Sequence, residues 1–565
     1  MKTCNHNERT NTANWLGKSA ALALAALLTA TSLLGCSATA DTAQSAPIPT
    51  QSPTTAPGVQ STPSVTDPAD TEPTEPVHVH NFDSEWYWDD ENHWKECACF
   101  ATSEQEPHNF QDRQCQDCGM LQPSEGLEFF VSEYFGYACV TDIGTCTDTE
   151  IVIPMYYQGY PVTNVSASAF QDRIRLKSVV IPNTVTEIAD RAFQGCVNLT
   201  SVTISNQLTE IGKFAFADCS SLREIQLPET LTSIEYRAFY QCTALESMVI
   251  PESVTWIGDS AFEYCSALKQ LKLPETLESM GSYAFGSCVS LETLEVPASL
   301  RSIGSGCFAN CTTLRNVTLQ DGLKKISSSM FSGCTTLESI CLPVSITEIE
   351  SAAFKNCTSL VRIEIPCNVI RVEDYTFSGC TALSEVVLQM GIVSIGREAF
   401  ADCTSMASIT IPNGVSELGL EAFRGCTAMT DLVLPETVKV IQSNAFAGCT
   451  ALTNITLPKC MESLGSSVFA GCTSLKEIVL PEGLTKLYIN TFNGCVSLEK
   501  VTVPASIQEV EMWAFRGCDA LETIVFMGTV EQWNAMDRDE TLSGWKWYDD
   551  GASFVILCTN GNLSV

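Results

Sequence analysis

The chain has 565 residues and a formal net charge of −35, with 31 Lys and Arg residues against 66 Asp and Glu residues. Nucleic acids and anionic lipid surfaces are bound by clustered cations, so this charge argues against both as partners. Cysteine is abundant, with 28 residues, and their spacing decides what they do. Because the length alone would suggest three or four globular domains, internal repeats have to be sought before domains are counted.

Residues 1–35 have the features of an export signal. A basic segment that includes Lys2 and Lys18 precedes an uncharged run rich in Ala and Leu, residues 19–34. This run is shorter than the roughly 20 apolar residues of a membrane-spanning helix, but it suits a cleavable signal. Its end, Leu-Leu-Gly-Cys36, resembles the lipobox of bacterial lipoproteins, which implies cleavage before Cys36 and lipid attachment to it. An ordinary secretory signal with an incidental cysteine is the alternative.

Residues 36–77 are rich in Pro, Ser and Thr and lack hydrophobic periodicity. Such a segment cannot bury enough apolar surface to offset the entropy lost on ordering, so it is predicted to be a disordered tether. No later segment is long and apolar enough to span a bilayer. We therefore predict an extracytoplasmic protein at the cell surface that contacts the membrane through its N-terminal lipid only.

Residues 78–120 are rich in His and Cys and are predicted to hold one structural zinc ion. Neutral imidazole and thiolate are preferred zinc ligands, and the segment resembles a zinc ribbon, although its first cysteine pair is C-x-C instead of C-x-x-C. A short segment with few aliphatic side chains needs a metal or disulfides to fold. Disulfides formed in an oxidising exterior, or disorder, are the alternatives. The candidate ligands are His80, His93, Cys97, Cys99, His108, Cys115 and Cys118.

A strict period of 23 residues begins at Phe170 and continues to Phe515. From Cys196 onward, a Cys follows each periodic Phe after three residues, and fifteen complete units occupy residues 176–520. The unit reads L-x-x-I-x-L-P-x-x-L-x-x-I-x-x-x-A-F-x-G-C-x-x. Its first, alternating part predicts a short strand. The Gly, Asn or Asp that usually precedes the Cys tolerates the left-handed backbone that ends a helical turn.

No single unit can bury its own apolar side, so the units are predicted to stack around one continuous core. We expect a strand-dominated repeat solenoid of the α/β class. A parallel sheet of about sixteen strands would form one face, with short strands, turns or helical turns on the other. The periodic cysteines are predicted to pack in the core, because coils about 4.8 Å apart hold their Cβ atoms further apart than a disulfide requires. Cys341 is predicted to be the accessible cysteine of the solenoid.

The unit resembles the 23-residue leucine-rich repeat of the BspA-type family of bacterial surface proteins. Residues 125–175 resemble that family's N-terminal cap, and residues 521–565 resemble its C-terminal cap. The resemblance implies cell-surface adhesion and the binding of a host or matrix protein. Because extended repeat surfaces bind proteins, the leading hypothesis is adhesion to a macromolecule of a host or neighbouring cell. No catalytic motif stands out and no insertion breaks the register between residues 176 and 520, so an enzyme is the least favoured hypothesis. Glycan capture is a further alternative, which a row of exposed aromatic residues would support.

The side chains between the apolar strand positions are predicted to face solvent and are a candidate partner-binding face. At the second position of successive units, cations and anions alternate along the solenoid. A structural ladder of opposite charges on neighbouring strands is the favoured interpretation of this pattern, and a partner-binding face is the alternative. The six residues of this candidate face are Arg223, Glu246, Lys269, Glu292, Arg315 and Glu338.

Overall fold

The computed structural model describes residues 87–88, 91–95, 102–538 and 554–564. All of them belong to the second of two compact units, residues 79–565. The predicted signal and tether lie outside the described residues, and so do His80, Cys97 and Cys99.

Ten short strands precede the repeats, and those of the Cys- and His-rich segment pair antiparallel. The strands up to residue 115, which belong to the Cys- and His-rich segment, are Tyr87–Trp88, Asn92–Trp94, Glu106–Pro107, Phe110–Gln111 and Gln114–Cys115. The strands that follow, up to the first repeat, are Glu128–Ser132, Tyr137–Asp142, Glu150–Val152, Tyr156–Tyr157 and Tyr160–Val165. The first two of these five strands pair antiparallel as a hairpin.

Each repeat unit forms one coil with two places for a strand, which we call the front strand and the back strand. Back strands occupy unit positions 12 and 13 of all fifteen units, whereas front strands cover positions 3 to 5 or 6 in most of them. The front strands are Ser178–Val180, Ser201–Thr203, Ser247–Val249, Gln270–Lys272, Thr293–Val296, Asn316–Leu319, Arg362–Glu364, Glu385–Val387, Asp431–Val433, Asn454–Thr456, Glu477–Val479 and Lys500–Val503. The back strands are Glu187–Ile188, Glu210–Ile211, Ser233–Ile234, Trp256–Ile257, Ser279–Met280, Ser302–Ile303, Lys325–Ile326, Glu348–Ile349, Arg371–Val372, Ser394–Ile395, Glu417–Leu418, Val440–Ile441, Ser463–Leu464, Lys486–Leu487 and Glu509–Val510.

Neighbouring coils pair in parallel and in register, as in Ser247–Val249 with Gln270–Lys272. The structure is therefore the predicted parallel β-solenoid, with almost no helix. The prediction of one front sheet of about sixteen strands was wrong, because the front strands fall into six separate sheets and three coils have no front strand. Their apolar residues Ile225, Ile340 and Ile409 are nevertheless buried. Front strands of three or four residues make few backbone hydrogen bonds with their neighbours. Where these bonds are lost, the buried side chains keep the coils stacked.

The periodic Phe residues form one column of buried rings from Phe170 to Phe515. Consecutive ring centroids lie 5.0 to 6.1 Å apart, and the planes diverge by 23° at most. Such separations suit stacked aromatic pairs. Every ring is buried by its two neighbours, which explains why no coil can fold alone.

The fifteen periodic cysteines lie buried beside this column and are free thiols. Each thiol donates to the backbone carbonyl oxygen of the Phe 26 residues earlier, in the preceding coil, with Sγ···O distances such as 3.0 Å for Cys196 and 3.4 Å for Cys334. Burial raises the pKa of the Cys265 thiol to about 12. The cysteines thus pack as the sequence predicts, and they also satisfy a buried carbonyl through a weak hydrogen bond.

Two positions of every unit have a left-handed backbone. Position 20 is the predicted one, for example Gly333 with φ 76° and Asn356 with φ 58°. Position 16 is equally left-handed although its side chains give no such signal, as at Tyr375 (φ 61°) and Trp513 (φ 59°). There the amide of Tyr375 donates to the carbonyl oxygen of Arg397 in the next coil at 2.8 Å. This bond between coils offsets the roughly 1–2 kcal/mol that a left-handed backbone costs a non-Gly residue.

The last coil is covered by strand Thr523–Phe526, the helix Val530–Ala535, and strands Asp537–Arg538, Val555–Cys558 and Gly561–Ser564. A capping box begins the helix, since Thr529 and Gln532 each accept a hydrogen bond from the other's amide. Trp533 is buried, with its ring centroid 5.1 Å from that of Phe526. Trp533 thus closes the open end of the core. Within the described residues, no helix is both long and apolar enough to cross a bilayer.

Candidate functional site

Two short hairpins position the His and Cys side chains of the N-terminal segment. His93 lies in strand Asn92–Trp94, and this strand pairs with strand Glu106–Pro107. His108 directly follows the second strand. Cys115 ends strand Gln114–Cys115. Its hairpin turns through Asp112 and Arg113, which both have positive φ as a two-residue turn of this type requires. Cys118 follows in a turn closed by the amide of Gly119, which donates to the Cys115 carbonyl oxygen at 2.9 Å.

Four of these side chains converge, and we call them the His–Cys cluster: His93, His108, Cys115 and Cys118. The Nδ1 atoms of the two histidines are 3.3 Å apart. Cys115 Sγ lies 3.7 Å from Nδ1 of His93, and Cys118 Sγ lies 3.3 Å from Nδ1 of His108. All four ligand atoms lie within 4.8 Å of one another, and His93 and Cys115 are buried.

Burial and hydrogen bonding affect the two thiols of the His–Cys cluster in opposite ways. Burial opposes ionisation of Cys115, but hydrogen bonds from the Cys118 backbone and the His108 side chain lower its pKa to about 6. Burial raises the pKa of Cys118, and the nearby Cys115 adds to this effect. One thiol therefore ionises more readily than the other.

The turn beside the cluster contacts the N-terminal cap of the solenoid through Arg113. Its Nη2 atom lies 3.0 Å from Asp148 Oδ2 and donates to Ser124 Oγ at 3.1 Å. Ser124 in turn exchanges backbone and side-chain hydrogen bonds with Val152, at the edge of strand Glu150–Val152. That strand begins the front sheet, so Arg113 and Ser124 cover its otherwise open edge.

Of the seven predicted metal ligands, the structure brings four together, while His80, Cys97 and Cys99 lie outside the described residues. The sequence reasoning did not find Arg113 or its contact with the cap. A basic residue in the turn between two candidate ligand strands was the available signal, but it does not identify Asp148 as the partner.

The six residues predicted for the partner-binding face are all exposed on the front side. They occupy stacked positions, since the Glu246 amide bonds the Arg223 carbonyl oxygen and the Lys269 amide bonds that of Glu246. Within the described part of the chain, none of the six forms an ion pair within 4.0 Å; charged pairs between neighbouring coils occur elsewhere, as at Arg362–Glu385 (3.1 Å). These side chains are therefore open to a partner.

The fifth unit position adds a β-branched row to the same face. Front strands such as Asp431–Val433 show an exposed, buried, exposed pattern. Val249, Val433 and Val479 expose 61, 71 and 64% of their surface. The front face thus combines exposed charges with a row of exposed apolar side chains.

Three solenoid cysteines are exposed, Cys341, Cys367 and Cys460. The prediction of a single accessible cysteine was wrong, because Cys367 and Cys460 lie in the loop between front and back strands and not at a buried unit position.

An open concavity of about 740 Å³ lies beside the back strands, lined among others by Thr255, Glu278, Arg301 and Lys324. These four residues occupy the same position in successive units. They form a periodic array of one charged or polar side chain per coil. No nucleophile paired with a general base is among these four residues, so the concavity does not have the arrangement of a catalytic site.

The model of the family "BspA type Leucine rich repeat region (6 copies)" matches residues 146–269, 232–361, 347–451 and 439–536. Among solved structures, the chain is similar to a leucine-rich repeat protein from Bacteroides ovatus ATCC 8483, with 28% identity, a TM-score of 0.61 and coverage of 71% of this chain and 98% of that one. It is also similar to a leucine rich cell surface protein from Faecalibacterium prausnitzii A2-165, with 28% identity, a TM-score of 0.37, and coverage of 75 and 99%. The pneumococcal vaccine antigen PcpA is 17% identical, with a TM-score of 0.38 and coverage of 73 and 94%. A search of curated proteins gave no match. Since the matches of the family model together span residues 146–536, more than half of the sequence, the chain belongs to the BspA-type leucine-rich-repeat family.

Proposed function

We propose that this protein is displayed on the bacterial surface by a lipid on Cys36 and binds a protein of a host or neighbouring cell through the front face of its solenoid. The observation that carries this proposal is the repeated exposure of charged and β-branched side chains on stacked front strands. Extended repeat surfaces of this kind bind macromolecules. The family and the similarity to a cell surface protein support the location.

The charge pattern of the front face favours a protein partner. Cations such as Arg223 and Lys269 alternate with anions such as Glu246, and the exposed Val row lies beside them. Protein interfaces combine apolar area with charged residues that fix the register of the partner. A nucleic acid would instead require a predominance of cations, which this acidic chain lacks.

Glycan capture is the second candidate, and the aromatic side chains of the turns favour it. Tyr240 and Tyr264 stack edge to face at 5.7 Å, and the Arg237 guanidinium lies 4.6 Å from the Tyr240 ring centroid. These rings are engaged with one another, which leaves less of their faces for sugar stacking. They also lie on the turns and not on the front strands. An enzyme is disfavoured because this repeat family and fold are typically non-enzymatic.

The binding proposal is tested by screening the lipid-free ectodomain, residues 37–565, against host matrix proteins and glycans. A front variant carries Arg223→Ser, Lys269→Ser and Arg315→Ser. A matched control carries Lys213→Ser, Arg301→Ser and Lys324→Ser, which remove three cations that are also exposed but lie away from the front strands. We expect at least a tenfold loss of affinity in the front variant only. Equal affinity of the front variant and the wild type would move the binding site to another surface.

Anchoring is tested separately with a fatty-acid probe in cells. Cys36→Ser should abolish labelling and release the protein from the membrane fraction, whereas Cys341→Ser, an exposed cysteine of the solenoid, should leave both unchanged. Label retained by Cys36→Ser would contradict the lipid anchor without affecting the binding proposal.

A further inference from the structure

We infer that the His–Cys cluster binds one zinc ion, and that this ion fixes the N-terminal segment over the open edge of the front sheet. The inference is independent of the binding function proposed above. It rests on the geometry of four side chains and on their connection to the first strand of the solenoid.

The distances within the His–Cys cluster fit a tetrahedral zinc site. Zinc–nitrogen bonds of about 2.0–2.1 Å and zinc–sulfur bonds of about 2.3 Å place tetrahedral ligands about 3.3 Å apart for N···N and about 3.6 Å for N···S. The Nδ1 atoms of His93 and His108 are 3.3 Å apart. The two N···S distances are 3.7 and 3.3 Å. These three of the six edges thus match their expected lengths to within about 0.3 Å, and the other three are no longer than 4.8 Å.

The donor set also favours zinc over other ions. Two thiolates and two imidazoles in tetrahedral arrangement are typical of zinc, whereas calcium and magnesium prefer oxygen ligands. With four protein ligands the coordination sphere would be closed, which is typical of a structural ion and not of a catalytic one.

The N-terminal segment needs such an ion more than the solenoid does. Among the described residues 91–95 and 102–120, Cys115 is the single hydrophobic residue that is buried. The strands there are only two or three residues long. A segment with so little core is stabilised by a metal or by disulfides. The solenoid beside it has a continuous buried core instead.

Coordination of the metal by Cys115 also stabilises the contact with the solenoid. Cys115 and Arg113 belong to the same hairpin. Arg113 forms an ion pair with Asp148 and donates a hydrogen bond to Ser124. A metal that fixes Cys115 therefore fixes the orientation of the turn from which Arg113 reaches the cap. Through Ser124 the effect extends to Val152 at the sheet edge.

Metal content of the lipid-free ectodomain, residues 37–565, tests the site. Purified under reducing conditions with zinc supplied, the wild type should contain about one zinc ion per chain, and mass spectrometry should show Cys115 and Cys118 reduced. His108→Ala and Cys118→Ser should each contain less than one-tenth of that amount, whereas the control Cys341→Ser should match the wild type. A wild type without zinc, a Cys115–Cys118 disulfide in it, or variants that retain wild-type zinc would each overturn the assignment.

Cobalt substitution keeps the test decisive if a variant misfolds. Co²⁺ added to the metal-free wild type should give the visible absorption of a tetrahedral ion and thiolate-to-metal charge transfer. At saturating Co²⁺, Cys118→Ser should lower the charge-transfer intensity per bound ion to about half, because one of the two thiolates is gone. Spectra without a thiolate contribution would rule out the proposed ligands.

Hydrogen exchange tests the connection to the sheet edge. Removing zinc with a chelator should speed exchange of the Ser124 and Val152 amides at least tenfold and leave the amides around Phe331 unchanged. Arg113→Ala should speed the same two amides while zinc stays bound. Unchanged exchange at Val152 after zinc removal would overturn the coupling between the ion and the solenoid.

Discussion

The cysteines of the solenoid and those of the N-terminal segment face different neighbours, and this difference separates two ways of stabilising a chain. Each periodic cysteine of the solenoid meets a Phe carbonyl oxygen in a core that repeats every 23 residues. Cys115 and Cys118 instead meet two imidazole rings in a segment with little core. The residue type alone therefore predicts neither role; the groups that converge on the sulfur decide it.

Alkylation of the native chain should separate the two groups most clearly. Because burial raises the pKa of Cys265 to about 12 from 9.0, its thiolate fraction near pH 8 falls about a thousandfold. Peptide mapping should find the exposed Cys341 modified quickly and Cys265 unmodified until the chain is unfolded. Cys115 and Cys118 should become reactive when a chelator is added, without unfolding. Alkylation of Cys265 in the native state would contradict the closed core.

The same shift predicts a loss of stability in alkali. A thiol whose pKa is raised in the folded state holds its proton there while the unfolded chain loses it. Stability should thus stay level below about pH 9 and fall as the pH rises towards 12. Chemical denaturation at several pH values measures this, and a flat profile across that range would refute it.

Phe331→Ala should remove about 3–5 kcal/mol of local stability, because it opens a cavity in the ring column. Since each coil touches only its neighbours, hydrogen exchange should show lost protection around Phe308, Phe331 and Phe354 but not at the N-terminal segment. Val433→Ala, at an exposed front position, is the control. Uniform loss of protection along the solenoid would show a more cooperative unit than contacts between neighbours explain.

Gly379→Ala should destabilise the chain by about 0.5–1.5 kcal/mol more than Gly471→Ala, because it forces the end of the Asn356 side chain out of its rotamer. Both glycines have positive φ, at 77° and 74°. An added Cβ would lie 2.3 Å from Asn356 Oδ1 at Gly379, but 3.7 Å from the Gly448 Cα at Gly471. Denaturant unfolding measures the difference in the free energy of unfolding. Adding Asn356→Gly to Gly379→Ala should remove most of this difference, because the clashing side chain is then gone. Equal losses in the two single variants would mean that Asn356 moves aside freely.

The smallest expected effect is on the front face. Replacing Arg223, Lys269 and Arg315 by Ser should change the free energy of unfolding by less than about 0.5 kcal/mol, because exposed charges contribute little to stability. Thermal unfolding of the front variant beside its matched control checks this. A larger loss would indicate that the alternating charges stabilise the solenoid and would weaken the case for a binding face.

The solenoid could be predicted because its sequence is periodic: a structure that fits one 23-residue unit fits every other unit. The strands, the Phe column, the buried thiols and the left-handed position 20 follow from the unit itself. The left-handed position 16 does not, since at residues such as Tyr375 the backbone conformation is set by a hydrogen bond between coils and not by the side chain. The breaks in the front sheet also depend on small differences between coils.

The N-terminal segment was predictable in composition only. Zinc ligands could be proposed from residue type, but spacing along a segment that does not repeat strictly cannot say which of seven side chains converge. The four that do are separated by up to 25 residues and are brought together by two hairpins. Arg113 acts through a partner 35 residues away, beyond any local pattern.

The hydrogen bond from each periodic cysteine to the Phe of the preceding coil has an evolutionary consequence. Every junction between coils offers the same donor and the same acceptor, from Cys196 with Phe170 to Cys518 with Phe492. A duplication or deletion of a whole 23-residue unit therefore creates no new type of junction. Copy number can drift while both ends stay unchanged, so selection can lengthen or shorten the front face one strand at a time without redesigning the core.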